Sequence, residues 1–366
     1  MKKLILACLM VASVFSCKAA DDVIDVEKFS PTIVATTMHV DAGWDVGATV
    51  SRLGMNPFQP TVDSYNHKGQ LIASWNPSED VANRPTFILM HGGHGIASGD
   101  MDNAYWLQKT YGANVLILDS YWSRGRHENW SSQTIYGPNM RVLDALAAAK
   151  FTKAQGADPA KTFLMGDSQG GWTVLRAFTE HNMASEVRSL FAGGIALYPN
   201  CYTKKELFHI GPVNQMAPPL GPYKQPIIIF TGTADTATPT SVCDVDRALK
   251  SAESWTVFEG ATHAWDQPTN GAGRPSIDGV CTTAANVYNH FKMCRSNEYT
   301  LQMRATIENF LISKNAMTAD YVAQRKLAAV AIAKQSSKQH TFVAKPISDA
   351  DRDAEAKRVM DAVGFK

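Results

Sequence analysis

After position 20 this chain has no unbroken apolar run of membrane-spanning length. A transmembrane helix needs about 20 apolar residues, so no span is expected within the body of the protein. Charge of one sign is missing as well. Lys and Arg total 35 against 34 Asp and Glu, which excludes the basic field of a nucleic-acid binder and the acidic tail of a solvating segment. Cysteine is sparse, with six in all and no Cys-x-x-Cys pair, and no His-Glu-x-x-His motif accompanies it. Neither a metal nor another cofactor is therefore expected. Gly (25) and Pro (17) follow no period, so a collagen-like or low-complexity chain is excluded. What remains is 366 residues, 45% of them apolar, enough for one large α/β domain.

Met1-Lys2-Lys3 followed by the apolar stretch Leu4 to Phe15 reads as an export signal, residues 1–20, with small residues at Ala19-Ala20 for cleavage. Val14-Phe15-Ser16-Cys17 also resembles a bacterial lipoprotein box, with Phe15 out of pattern, so Cys17 is a candidate for lipidation. A membrane partner is expected only in that case. Periplasmic or secreted localisation follows. Loss of Lys2, Lys3 and Lys18 leaves 32 basic residues facing 34 acidic ones.

Apolar runs recur through the middle of the chain and end in loop residues. Examples are Phe87–Met90 before His91-Gly92-Gly93, Asn114–Leu118 before Asp119-Ser120, and Thr162–Met165 before Gly166-Asp167-Ser168. Gly194–Leu197, Pro226–Phe230 and Trp255–Phe258 continue the series. Runs without polar alternation imply strands buried on both faces, the habit of a parallel sheet. Helical spacing appears over Arg141–Phe151, Thr173–Phe178 and Asp246–Leu249. Alternating strands and helices give an α/β class with a mostly parallel sheet. Ile33 to Ser74 is expected to form an antiparallel edge on that sheet, making 21–315 one catalytic domain. Residues 316–366, with helical stretches at Ala328–Ala333 and Ser348–Ala362, form an extension that packs loosely or caps the body.

Gly166-Asp167-Ser168-Gln169-Gly170-Gly171 lies between a strand and a helix, the context that lifts a serine onto a sharp turn. A serine hydroxyl needs a base. His263, after the last candidate strand, supplies it, and Asp235, after the preceding strand, orients it. The order Ser168, Asp235, His263 is that of the α/β-hydrolases. His91-Gly92-Gly93-His94-Gly95 provides an oxyanion loop, with the backbone N–H groups of Gly93 and Gln169 as the donor pair. His91 is expected to be structural, and His94 a rim residue.

With these motifs, Asp119-Ser120-Tyr121-Trp122-Ser123-Arg124-Gly125, Tyr198-Pro199-Asn200-Cys201 and Asp235-Thr236-Ala237-Thr238-Pro239, the chain resembles the dienelactone hydrolase family of α/β-hydrolases, in its exported, serine-containing branch. The likeness covers roughly Thr86 to Leu311. That family's founding enzyme uses a cysteine nucleophile where this chain has Ser168, so the resemblance implies cleavage of a small-molecule ester but no dienelactone substrate. Trp106, Trp122, Trp130, Trp172 and Trp265, five of the eight tryptophans, lie near these loops and either line a cleft or pack the core. Arg124 and Arg126 either meet an anionic substrate or clamp Asp119. A serine peptidase and a noncatalytic binding protein on the same scaffold are the competing readings.

Four cysteines remain beyond the leader, and three connectivities are open in principle. Cys201 follows one candidate strand, and Cys243 follows the Asp235 loop at the same end of the sheet. Cys281 and Cys294 flank a short segment. The expected bridges are therefore Cys201–Cys243 and Cys281–Cys294.

Overall fold

A computed structural model describes residues 32–36, 70–121, 138–179, 189–201, 222–244, 251–268, 276–285 and 290–328. The leader, Cys17, Trp122, Arg124, Arg126, Trp130, the stretch Asp246–Leu249 and the segment beyond 328 lie outside the described residues.

Each apolar run becomes a strand, and its side chains divide between two cores. In β3 (Thr86–Met90), Phe87 and Leu89 enter one cluster while Ile88 and Met90 enter the other. β4 (Asn114–Asp119), β5 (Thr162–Asp167) and β7 (Ile227–Gly232) divide in the same way. With both faces covered, the middle of each strand is apolar, and buried polar residues such as Thr86, Asn114 and Thr162 stand at the strand ends. That is why these runs show no alternation.

Among the described residues the sheet has eight strands, in the order β1-β2-β4-β3-β5-β6-β7-β8. β6 is Gly193–Leu197 and β8 is Ser254–Phe258. From β4 through β8 every pairing is parallel. β2 (Gln70–Asn76) runs antiparallel to β4, and β1 (Thr32–Thr36) lies parallel to β2. The N-terminal segment thus adds two strands of reversed direction to one edge. At the other edge, β8 departs from the expectation of full burial, and Val257 is 40% exposed because no strand among the described residues pairs beyond it. β9 (Cys281–Ala285) and β10 (His290–Cys294) form a separate antiparallel pair. This is the α/β-hydrolase fold: a mostly parallel sheet with helices on both faces and loops of chemical character at the carboxyl ends of β3, β5, β7 and β8.

The helices are α1 (Ser98–Tyr111), α2 (Pro138–Ala154), α3 (Gln169–Ala177), α4 (Thr240–Asp244) and α5 (Asn297–Ser313). Val142, Leu146 and Ala149 of α2 join Val174 and Leu175 of α3 in one core. Met101 and Leu107 of α1 join Met303, Ile307 and Phe310 of α5 in the other. Residues 319–328 are helical and dock on the end of α1. Tyr321 donates its hydroxyl to the Tyr111 carbonyl at 2.8 Å, and Arg325 reaches the Lys109 carbonyl at 3.0 Å.

Both cysteine pairs are joined as disulfides, Cys201–Cys243 and Cys281–Cys294. The first connects the end of β6 to α4, beyond the Asp235 loop. The second closes the β9–β10 hairpin, in which Cys281 and Cys294 are register partners.

Candidate active site

Ser168 sits between β5 and α3 with φ 50°, a region that residues with a Cβ rarely adopt. Its backbone is held on both sides: Ser168 N donates to the Leu197 carbonyl, and its carbonyl accepts from Trp172 N and Asn200 N. The strain persists because the flanking glycines let strand and helix close tightly. A Cβ on Gly166 would fall 2.5 Å from the Gly170 carbonyl, and one on Gly170 would fall 1.8 Å from the Met90 carbonyl oxygen. The sequence therefore needs glycine at both positions for this turn to form.

His263 Nε2 lies 3.1 Å from Ser168 Oγ, and its Nδ1 lies 2.8 Å from Asp235 Oδ2. An ionised carboxylate can only accept, so Nδ1 carries the proton and Nε2 is left as the acceptor for the serine hydroxyl. Asp235 is 3% exposed and fully engaged. Its Oδ1 accepts from Ala237 N at 2.8 Å and Thr238 N at 2.9 Å, and its Oδ2 accepts from Thr238 Oγ1 at 2.8 Å. His263 is steered from its faces too. Tyr198 and Phe291 meet it edge-on, with ring centroids 4.9 and 5.4 Å away. Phe291 belongs to the disulfide-closed hairpin, so that hairpin packs against the imidazole.

Asp266, the other acid near His263 in sequence, points elsewhere. It accepts from Tyr198 Oη at 2.7 Å and from Asn103 Nδ2 at 3.0 Å. It is therefore not the partner of the imidazole.

Gln169 opens α3, where the first amides of a helix have no internal acceptor and the helix dipole favours negative charge. Its side chain contacts the Tyr121 hydroxyl. Gly93 lies in the loop after β3, a loop fastened by His91. The His91 ring is fully buried and neutral, because burial and the Arg141 guanidinium hold its pKa well below the ordinary value. Nδ1 donates to the Gly92 carbonyl at 2.7 Å, and Nε2 accepts from Ser120 N at 3.1 Å. Asp119, 3.9 Å from that ring, therefore faces no cation there. Arg141 adds a 2.6 Å bond to the His91 carbonyl. His94 is on the exposed side of the loop.

The aromatic residues offered as cleft lining divide differently. Trp172 is 2% exposed and Trp265 is 0%, and both are packing residues of the two cores. Each follows a site residue closely in sequence, which is why position alone left cleft and core both open. Thr238 and Tyr198 are the partners that motif spacing did not single out as site residues. Their signal was present in the Asp-Thr-Ala-Thr-Pro and Tyr-Pro segments, but only the fold shows whom they touch.

No family model matches this sequence, and no curated protein does. Among solved structures the chain is similar to one named as a dienelactone hydrolase from Klebsiella pneumoniae (14% identity, 53% of this chain and 88% of that one, TM-score 0.41). It is also similar to esterase 2 of the planctomycete Thermogutta terrifontis (18% identity, 68% and 89%, TM-score 0.45). A third is a puromycin-hydrolysing peptidase of Mycobacterium tuberculosis (21% identity, 54% of this chain and 35% of that one, TM-score 0.41). These are likenesses of fold.

Proposed function

We propose that this protein is an exported serine hydrolase that cleaves carboxylic esters through an acyl-enzyme. The observation that carries the reading is the hydrogen-bonded chain from Ser168 through His263 to Asp235, with the serine raised on a strained strand-to-helix turn. Ser168 Oγ attacks the ester carbonyl while His263 Nε2 takes its proton, and Asp235 stabilises the imidazolium that forms. The backbone N–H groups of Gly93 and Gln169 receive the oxyanion. Collapse of the tetrahedral intermediate breaks the bond to the alkoxy group, which leaves with the proton returned by His263. A water, deprotonated by the same imidazole, then attacks the acyl-enzyme and frees Ser168.

Export is supported by the basic and apolar leader and by two disulfides, which persist in oxidising compartments. The test is a panel of p-nitrophenyl acyl esters set beside peptide p-nitroanilides, using the purified chain. Ester kcat/KM exceeding amide kcat/KM by orders of magnitude is expected. Amide turnover that matches or exceeds ester turnover would contradict the ester reading.

A further inference from the structure

Beneath the nucleophile turn lie acids for which the hydrolytic scheme has no use. Asp167 immediately precedes Ser168. Its Oδ1 is shut off from solvent, and no N–H or O–H donor among the described residues points at it. On the other side is the loop after β3. A Cβ on Gly92 would fall 2.7 Å from Asp167 Oδ2 and 3.4 Å from Ser168 Cβ, so loop and turn are in direct contact.

The Asp167 carboxyl is hydrogen-bonded to the carboxyl of Asp100, in the first turn of α1. Asp100 Oδ2 also accepts the Ala97 N–H at 2.8 Å, at the far end of the same loop. Two carboxyl groups can bond to each other only if one keeps its proton. Asp100 receives a backbone donor and Asp167 Oδ1 receives none, so the proton belongs to Asp167.

The surroundings agree. Asp266 reaches the pair from the turn after β8, Tyr198 from the end of β6 and Arg141 from α2; His91, on the loop itself, is neutral. Burial, with the Asp100 and Asp266 charges, pushes Asp167 well above the usual carboxylate range. Burial raises Asp100 to about 6, against the opposing pull of its hydrogen bonds from Ala97 and Asp167 and of Arg141. In the intermediate range the pair thus holds one proton between two oxygen atoms.

We infer that Asp167 is a positioning residue: as a neutral acid donating to the Asp100 carboxylate, it clamps the loop of residues 91–97 onto the nucleophile turn and fixes the spacing of the Gly93 and Gln169 amides. This rests on the ester-hydrolysis reading above. Losing the proton sets a second carboxylate against Asp100 and Asp266, the loop separates from the turn, and the oxyanion loses a donor. One such donor is worth about 10²- to 10³-fold in turnover. The loss should fall on kcat, with KM little changed.

The test compares pH profiles of kcat and KM for p-nitrophenyl ester hydrolysis. The wild type should lose kcat as pH rises through the folded-state pKa of Asp167. Asp167→Leu, with no donor, should lose about 10²-fold in kcat at every pH. Asp167→Asn, which donates but has no proton to lose, should restore most of that turnover and lack the high-pH limb. Asp100→Asn, which removes the negative neighbour, should move the limb to lower pH. A wild-type limb in Asp167→Asn, an unmoved limb in Asp100→Asn, or full kcat in Asp167→Leu would each overturn the clamp. If the wild type cleaves no ester, that reading fails by itself and melting temperatures decide the clamp. In a Ser168→Ala chain, Asp167→Asn should flatten the fall of Tm with rising pH, and an equal fall in both chains would refute it.

Discussion

Gly170→Ala is a sharp probe of the nucleophile turn, because the added methyl meets backbone on every side. Its Cβ would lie 1.8 Å from the Met90 carbonyl oxygen, 2.6 Å from the Met90 carbonyl carbon and 2.7 Å from the His91 carbonyl oxygen. Real Cβ atoms essentially never come closer than about 3 Å, so α3 must retreat from β3 by roughly 1 Å. Overpacking costs typically about 1–3 kcal/mol, and no flexible side chain is available here to yield. The upper end, about 3 kcal/mol, is expected. For a domain of this size that corresponds to a fall of about 6–12 °C in Tm. The same retreat displaces Ser168 and the Gln169 amide from His263 and the β3 loop. A shift of about 1 Å can cost about 10²-fold in rate. The assay is urea unfolding together with p-nitrophenyl acetate turnover. Gly156→Ala is the control: φ is 95°, but no atom lies within 4 Å, so only backbone strain of about 1–2 kcal/mol is added. A Gly170→Ala protein that unfolds like Gly156→Ala and turns over normally would refute the close-packed elbow.

Three further outcomes are expected. Replacing Cys201 and Cys243 together by Ala should destabilise by about 4 kcal/mol, and replacing Cys281 and Cys294 by about 3 kcal/mol, from chain entropy at separations of 42 and 13 residues; equal stability in non-reducing urea titrations would show that neither bridge restrains the unfolded chain. Thr238→Val removes one hydrogen bond to Asp235 Oδ2 while keeping the side-chain shape, and should lower kcat by about tenfold, which steady-state kinetics will read directly. Asp100 and Asp167 have raised folded pKa values, so the folded chain holds protons that the unfolded chain releases. Their contribution to stability is complete below the ordinary carboxylate pKa and is lost as pH rises through the raised folded pKa values, about 6 for Asp100. In the Asp100→Asn and Asp167→Asn double variant, the urea midpoint should fall less from about pH 4 to about pH 7 than in the wild type.

The strands were legible because burial on two faces erases polar positions, as in Phe87–Met90 and Ile227–Phe230. Ser168, Asp235 and His263 were legible because each follows such a run. α1 was not. It begins at Ala97, which has no capping side chain, and the reciprocal bond from Asp100 does that work. Its buried positions mix Ser98, Asp100 and Asn103 with Met101, Ala104, Leu107 and Tyr111, so polar residues dilute its apolar stripe. The Asp100–Asp167 contact joins residues whose meeting depends on how the β3 loop folds back. For the tryptophans the sequence left cleft and core both open for a related reason: proximity in sequence to a loop does not say on which side of the sheet a large ring is buried. For Trp172 and Trp265 the sheet's two cores decide that.

The central claim, that Ser168 is the nucleophile of a working triad, is tested most directly by reaction with a fluorophosphonate followed by intact-mass and peptide analysis. A single adduct on Ser168 is expected, absent in Ser168→Ala and slowed by orders of magnitude in His263→Ala, with ester turnover falling on the order of 10⁴- to 10⁶-fold in parallel. An adduct on another residue, or wild-type ester hydrolysis by Ser168→Ala, would contradict it.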